Sequence, residues 1–197
     1  NVIQSLYHSL VTNRTLSTCI CYNYFMKRVL LLGATGHLGK VLTEMLLERS
    51  YAVVALVRDP GKVTITHKNL TIIKGNVTDP DDLAKALDKI DVVISTLGHG
   101  FRTAYPIQEK TVSVLLPIMK EKNISRFITI TGAGLQMPGD RQTFVESFFY
   151  SLLPLIDPYR LHDASKQQML LEKSTTEWTV VRTPIHNSRT NQKLSHV

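Results

Sequence analysis

The tightest constraint in this chain is a seven-residue turn, Gly33-Ala34-Thr35-Gly36-His37-Leu38-Gly39, set between an apolar run and an amphipathic stripe. Arg28–Leu32 is nearly continuous in apolar residues, as a strand covered on both faces must be. Leu38, Val41, Leu42, Met45 and Leu46 then follow the i, i+3, i+4, i+7, i+8 spacing of a helix laid on a sheet. Reversal from strand to helix in so few residues calls on the backbone freedom of Gly33. Gly36 lets the chain approach a ligand, and Gly39 lets helix and sheet pack closely. The free amides at the helix start face outward from the strand end, where the helix dipole also favours negative charge. Glycines serve plain structural turns too, but the strand before and the helix after make a pyrophosphate-binding turn the preferred reading.

The same alternation runs to the end of the chain. Val- and Ile-rich runs at Ala52–Val57, Leu70–Ile73, Asp91–Ser95, Arg126–Thr131 and Trp178–Arg182 predict five further strands. A second helix is predicted after Thr78-Asp79-Pro80-Asp81-Asp82, which offers an N-cap, Pro at the first helical position and acids in the first turn. Its apolar residues are Leu83, Leu87 and Ile90. A third spans Gln108 to Lys122 with Val112, Leu115, Leu116 and Met119 inward, Pro117 disturbing its last turn. A fourth runs from Asp157-Pro158 to about Lys173. Strands joined this way form right-handed βαβ units, so the expected fold is α/β: a doubly wound parallel sheet of about six strands with helices on both faces, one domain over residues 26–197.

Composition agrees with one such domain: 197 residues, 43% hydrophobic and 20% charged. No apolar run approaches the ~20 residues a membrane-crossing helix needs, so no membrane association is expected. Residues 1–25 hold no acid and one base, Arg14, and read as a leader or a non-native extension. Cys19 and Cys21 lie there without further ligands, so no metal site is expected; free thiols suit a reducing, cytoplasmic setting. The net charge of +7 favours an anionic partner. The bases are spread along the chain without a recognition motif, which argues against nucleic acid.

Ligands of open parallel sheets bind beyond the carboxyl ends of the strands. The second strand ends in Val57-Arg58-Asp59-Pro60-Gly61-Lys62. An Arg here accommodates a 2′-phosphate, with Lys62 as a second cation; the alternative is that Arg58 pairs with Asp59, which then binds the ribose of NAD. NADP(H) is the preferred cofactor and NAD(H) the alternative. Asn76 and Val77 follow the third strand as candidate adenine contacts. Thr96, Leu97 and Gly98 follow the fourth, and Gly98-His99-Gly100 supplies flexible backbone beside a ribose or nicotinamide. Thr131-Gly132-Ala133-Gly134 follows the fifth.

Taken together, Lys27 to Gly39, Val57-Arg58-Asp59, Gly75-Asn76-Val77-Thr78-Asp79 and Trp178-Thr179-Val180-Val181-Arg182-Thr183-Pro184 resemble the atypical short-chain dehydrogenase/reductase group. The nearest likeness is to its NmrA-like and flavin or biliverdin reductase-like members, over roughly residues 26 to 185. The resemblance implies a Rossmann fold with strand order 3-2-1-4-5-6, preference for NADP(H), and redox chemistry or cofactor sensing. It also implies cofactor contacts from Gly33, Thr35, Gly36, His37, Leu38, Gly39, Arg58, Asn76, Val77 and the Leu97–Gly98 loop.

The chain departs from that group in lacking a Tyr-x-x-x-Lys pair. Tyr159 and Lys166 are the nearest candidates, and seven positions put them ~10 Å apart along a helix, too far to couple. His162 and Lys166 have the i, i+4 spacing and form the candidate catalytic pair, with His162 as proton donor. Hydride transfer to a stacked acceptor needs little such help. The aromatic stretch Phe144 to Ile156 offers a lid for a flat acceptor such as a quinone or flavin. The polar tail Asn187 to Lys193 follows soon after the sixth strand, where related domains continue into elements that enclose substrate, so the domain reads as shortened at its C-terminus. The expected function is an NADPH-dependent oxidoreductase acting on a small conjugated acceptor, and the alternative a non-catalytic NADP(H)-binding redox sensor. Oligomeric state is not specified by the sequence.

Overall fold

The computed structural model describes residues 27–98, 105–132 and 158–183. They form six strands, β1 (Arg28–Leu32), β2 (Ala52–Val57), β3 (Leu70–Lys74), β4 (Val92–Ser95), β5 (Arg126–Gly132) and β6 (Glu177–Thr183). The helices are α1 (His37–Glu48), α2 (Pro80–Ala86), α3 (Ile107–Glu121) and α4 (Pro158–Glu172). All strand pairs are parallel, in the order β3-β2-β1-β4-β5-β6. This is the Rossmann order expected, and each predicted strand lies within a residue of its place. Asp91 stands just before β4, donating its N–H to the Arg28 carbonyl at 3.0 Å while its carboxylate accepts the Arg28 N–H at 2.8 Å. The aromatic stretch 144–156, Cys19, Cys21, His99, Gly100, Ala133 and Gly134 lie outside the described residues.

Side chains alternate across the strands, and the core divides accordingly. Leu30, Leu32, Val54, Leu56, Val93 and Phe127 face α2, α3 and α4, meeting Leu83, Leu87, Val112, Leu115, Met119 and Leu171. Val29, Leu31, Val53, Ala55, Val57, Ile94 and Ile128 face the other way and meet Leu42, Leu46 and Leu47 of α1. Helices thus cover both faces, and the strands between them need apolar residues at every position. β3, at the edge, does not: only its first and fourth residues are half-buried. The link from β2 to β3 has no helix; after a 3₁₀ turn at Pro60–Lys62, Val63 and Ile65 pack on the α1 face.

Capping sets the helix limits. Asp79 accepts the N–H groups of Asp81 and Asp82, both at 3.0 Å, and starts α2 as its sequence predicted. Pro117 falls on the exposed face of α3 and the helix continues to Glu121. Ser50, Lys89 and Asn123 end the first three helices in the left-handed region, at φ 61, 55 and 56. Ser50 and Tyr51 close α1 through N–H bonds to Leu47 and Leu46 carbonyls at 3.0 Å.

Candidate functional site

The order 3-2-1-4 reverses direction between β1 and β4, which opens a crevice at their carboxyl ends. The Gly33–Gly39 turn occupies it. Gly33 has φ +85, and a Cβ there would stand 2.7 Å from Thr96 Oγ1. The Gly36 N–H closes the turn on the Gly33 carbonyl at 3.0 Å. A Cβ on Gly39 would lie 2.1 Å from that same carbonyl oxygen, so α1 meets the turn backbone to backbone. Thr96, directly after β4, donates its hydroxyl to the Leu32 and Gly33 carbonyls at 3.0 and 3.1 Å. Its side chain fixes the turn from the neighbouring strand.

The three helix N-termini whose caps are described are treated differently. α2 carries Asp79 on its amides and Asp81 and Asp82 in its first turn. α3 is capped from a distance: Asp163, on α4, accepts the Gln108 N–H at 2.9 Å through one oxygen and the Glu109 N–H at 2.6 Å through the other. α1 has no side-chain cap and no acid in its first turn. The amides of His37, Leu38 and Gly39 precede its first intrahelical bond, from the Lys40 N–H to the Gly36 carbonyl. Among the described residues no side chain accepts from them. An anion is the partner such a helix start selects.

That helix start borders a cavity of about 610 Å³. From the glycine turn come Gly33, Thr35 and Gly36; from the end of β2, Leu56, Val57 and Arg58; from beyond β3, Asn76 and Val77; from beyond β4, Thr96, Leu97 and Gly98; and from the approach to α3, Tyr105 and Ile107. Nine of the candidate residues are therefore brought together around one space. His37, Leu38 and Gly39 are not among its lining side chains; they offer backbone amides. Thr131 is buried in β5. His162 is exposed and Lys166 half-buried, one turn apart on α4, and neither is among the lining residues.

Two local details bear on the ends of β2 and β3. Asp59 accepts the Gly61 N–H at 3.1 Å and lies 3.9 Å from Lys62 Nζ. It caps the 3₁₀ turn and holds Lys62, while Arg58 has no hydrogen-bond or ion-pair partner among the described residues. Asn76 Oδ1 accepts from the Thr78 N–H and hydroxyl at 3.2 and 3.1 Å, and the Asn76 N–H donates to Asp82 at 2.9 Å. Asn76 itself is part of the cavity lining.

Sequence reasoning missed Gln108 and Asp163. The Gln108 side chain is buried and donates to the carbonyls of Leu97 at 2.9 Å and Ile130 at 3.4 Å. Asp163 is 1% exposed. Together they bind the loop after β4 to α3 and α4. The two residues lie 55 positions apart in sequence, and neither follows a motif. Asp163 sits among polar residues of α4, so no local signal marked it.

A six-stranded parallel sheet with a cavity at its switch point and an uncapped helix start beneath it defines a Rossmann-type dinucleotide-binding domain. Comparison with known proteins assigns the family: the sequence profile of the NAD(P)H-binding family matches residues 33–196, and the chain belongs to it. An isoflavone reductase homolog of Arabidopsis thaliana is 34% identical over 110 residues, covering 51% of this chain and 34% of that protein. A phenylcoumaran benzylic ether reductase of Betula pendula is 32% identical over 109 residues, 51% of this chain and 33% of its own. The chain spans about a third of the length of these curated relatives. A short-chain dehydrogenase/reductase of Veillonella parvula, solved in complex with NADP, superposes with a TM-score of 0.59 at 22% identity, covering 78% of this chain and 67% of that one. The expected NAD(P)H-binding family thus holds by sequence, and the expected Rossmann fold by structure. Among the described residues no helix is long and apolar enough to cross a membrane.

Proposed function

We propose that this chain is the cofactor-binding part of a reductase that uses NADPH in preference to NADH to reduce a small conjugated acceptor of flavin or quinone type. One observation carries the reading: the uncapped start of α1 and the unpaired Arg58 open on the same cavity. The glycine turn and the α1 amides would hold the diphosphate, and Arg58 the 2′-phosphate through charge-assisted hydrogen bonds. Asp59, engaged with Gly61 and Lys62, is less suited to serve as the ribose ligand of an NAD enzyme. Asn76 and Val77 would border the adenine, and Leu97 and Gly98 the nicotinamide half. Bound there, NADPH supplies a hydride, leaving as NADP⁺, and the acceptor takes up that hydride with one proton. The residues of this chain orient and exclude water.

The kinship with reductases supports the same reading. The missing Tyr-x-x-x-Lys pair favours the second one, a redox sensor that binds NADP(H) without turning it over. Loss of the NADPH absorbance band with a panel of quinones and flavins separates the two. Turnover supports the reductase, whereas binding without turnover supports the sensor. Equal use of NADH removes the assigned preference. His162 as proton donor is part of the proposal, and His162→Gln checks it: an unchanged pH profile removes the role.

A further inference from the structure

Tyr105 and Lys110 form a pair to which the cofactor assignment above gives no role. Tyr105 stands just before α3 and lines the cavity on the side of Leu97 and Ile107, yet it is 46% exposed. Lys110, in the first turn of α3, carries its Nζ 4.4 Å from the centroid of the Tyr105 ring. That ammonium has no carboxylate partner among the described residues, where the ion pairs are Lys62–Asp59 and Lys85–Asp82. Asp163, the carboxylate that caps this helix start, is occupied by two α3 amides.

Each half of this arrangement selects a ligand property. A tyrosine ring left half open in a cavity wall is a stacking surface for a flat conjugated molecule. The face of a bare ring is electrostatically negative and turns away anions. An ammonium resting on the ring reverses that preference and leaves an unneutralised positive charge within a ring's width of the cavity. From this geometry we infer that Tyr105 and Lys110 choose the acceptor: a flat aromatic or quinonoid molecule bearing an anionic substituent, its ring against Tyr105 and its charge in reach of Lys110. The inference rests on the reductase reading and narrows its substrate class.

The test uses the full chain saturated with NADP⁺ and two matched probes, naphthoquinone and naphthoquinone sulfonate, with affinities measured by calorimetry. The sulfonate binds up to about fivefold more tightly, the size of effect that an exposed, water-screened charge pair gives. Lys110→Met removes that difference by weakening the sulfonate alone, and NADPH affinity is unchanged. Tyr105→Leu weakens both probes, while Tyr105→Phe retains both. Equal affinity for the two probes, no binding of either, or a preference that survives Lys110→Met overturns the inference and leaves the cofactor site standing. Failure of the chain to bind NADPH at all overturns the reading beneath it.

Discussion

Replacing Gly39 by alanine sets two effects of opposite sign against each other. By helix propensity alone the change stabilises α1, because alanine exceeds glycine in a helix interior by about 1 kcal/mol. The packing demands the reverse. The added methyl would stand 2.1 Å from the Gly33 carbonyl oxygen and 2.8 Å from Ala34 Cα, against 3.4 Å for ordinary contact. These are backbone atoms, so relief requires α1 and the turn to part by more than an ångström. The Gly33 carbonyl also accepts the Gly36 N–H at 3.0 Å and the Thr96 hydroxyl at 3.1 Å, and both bonds move with it. Overpacking against a rigid neighbour and weakening of two hydrogen bonds together outweigh the propensity gain, for a net loss of about 2–4 kcal/mol. A domain of this size has about 5–15 kcal/mol of stability, so the variant still folds and urea midpoints report the difference. Because the α1 amides shift with the helix, NADPH affinity falls with stability. A Gly39→Ala protein as stable as its parent, or more so, would refute the close approach of helix to turn.

Other perturbations reach the remaining parts of the site. Arg58→Ala weakens NADPH by about 1.5–3 kcal/mol and leaves NADH nearly unchanged, the loss expected for a charge-assisted contact; equal losses in paired titrations point instead to Asp59 and NAD. Asp163→Ala leaves one buried and one part-buried α3 amide without an acceptor and costs about 2–4 kcal/mol in chemical denaturation, with Asp163→Asn recovering part of it. A midpoint shift near zero would show that this distant cap is not holding α3. Lys89→Gly relieves a left-handed backbone and stabilises the fold by about 0.5–1 kcal/mol; destabilisation contradicts the φ of 55 on which it rests.

The parts legible in the sequence are those whose physics is local. Strands buried on both faces must be continuously apolar, so Arg28–Leu32 and Ala52–Val57 announce themselves. Asp79-Pro80 carries its own cap, and the glycine turn its own spacing. Long-range polar contacts leave no such trace. His162 and Lys166 share a helix face by spacing, but spacing does not say whether that face looks inward. Successive helical residues differ by about 100° in direction, and it is Asp163, next in the chain, that turns into the core and caps α3. Lys62 likewise follows Arg58 closely in sequence, yet the 3₁₀ turn folds it onto Asp59 and outside the cavity lining. Thr96 was legible as a wall residue, but its hydroxyl bonds to Leu32 and Gly33 depend on β1 and β4 being neighbours.

The central claim is that the backbone start of α1 receives the diphosphate of a nicotinamide dinucleotide. Amide chemical-shift mapping of the chain during NADPH titration tests it residue by residue. The account predicts that the largest saturable shifts fall on the amides of Gly36, His37, Leu38 and Gly39, accompanied by Arg58. Saturable shifts confined to other surfaces, or none at all with NADPH or NADH, would contradict it.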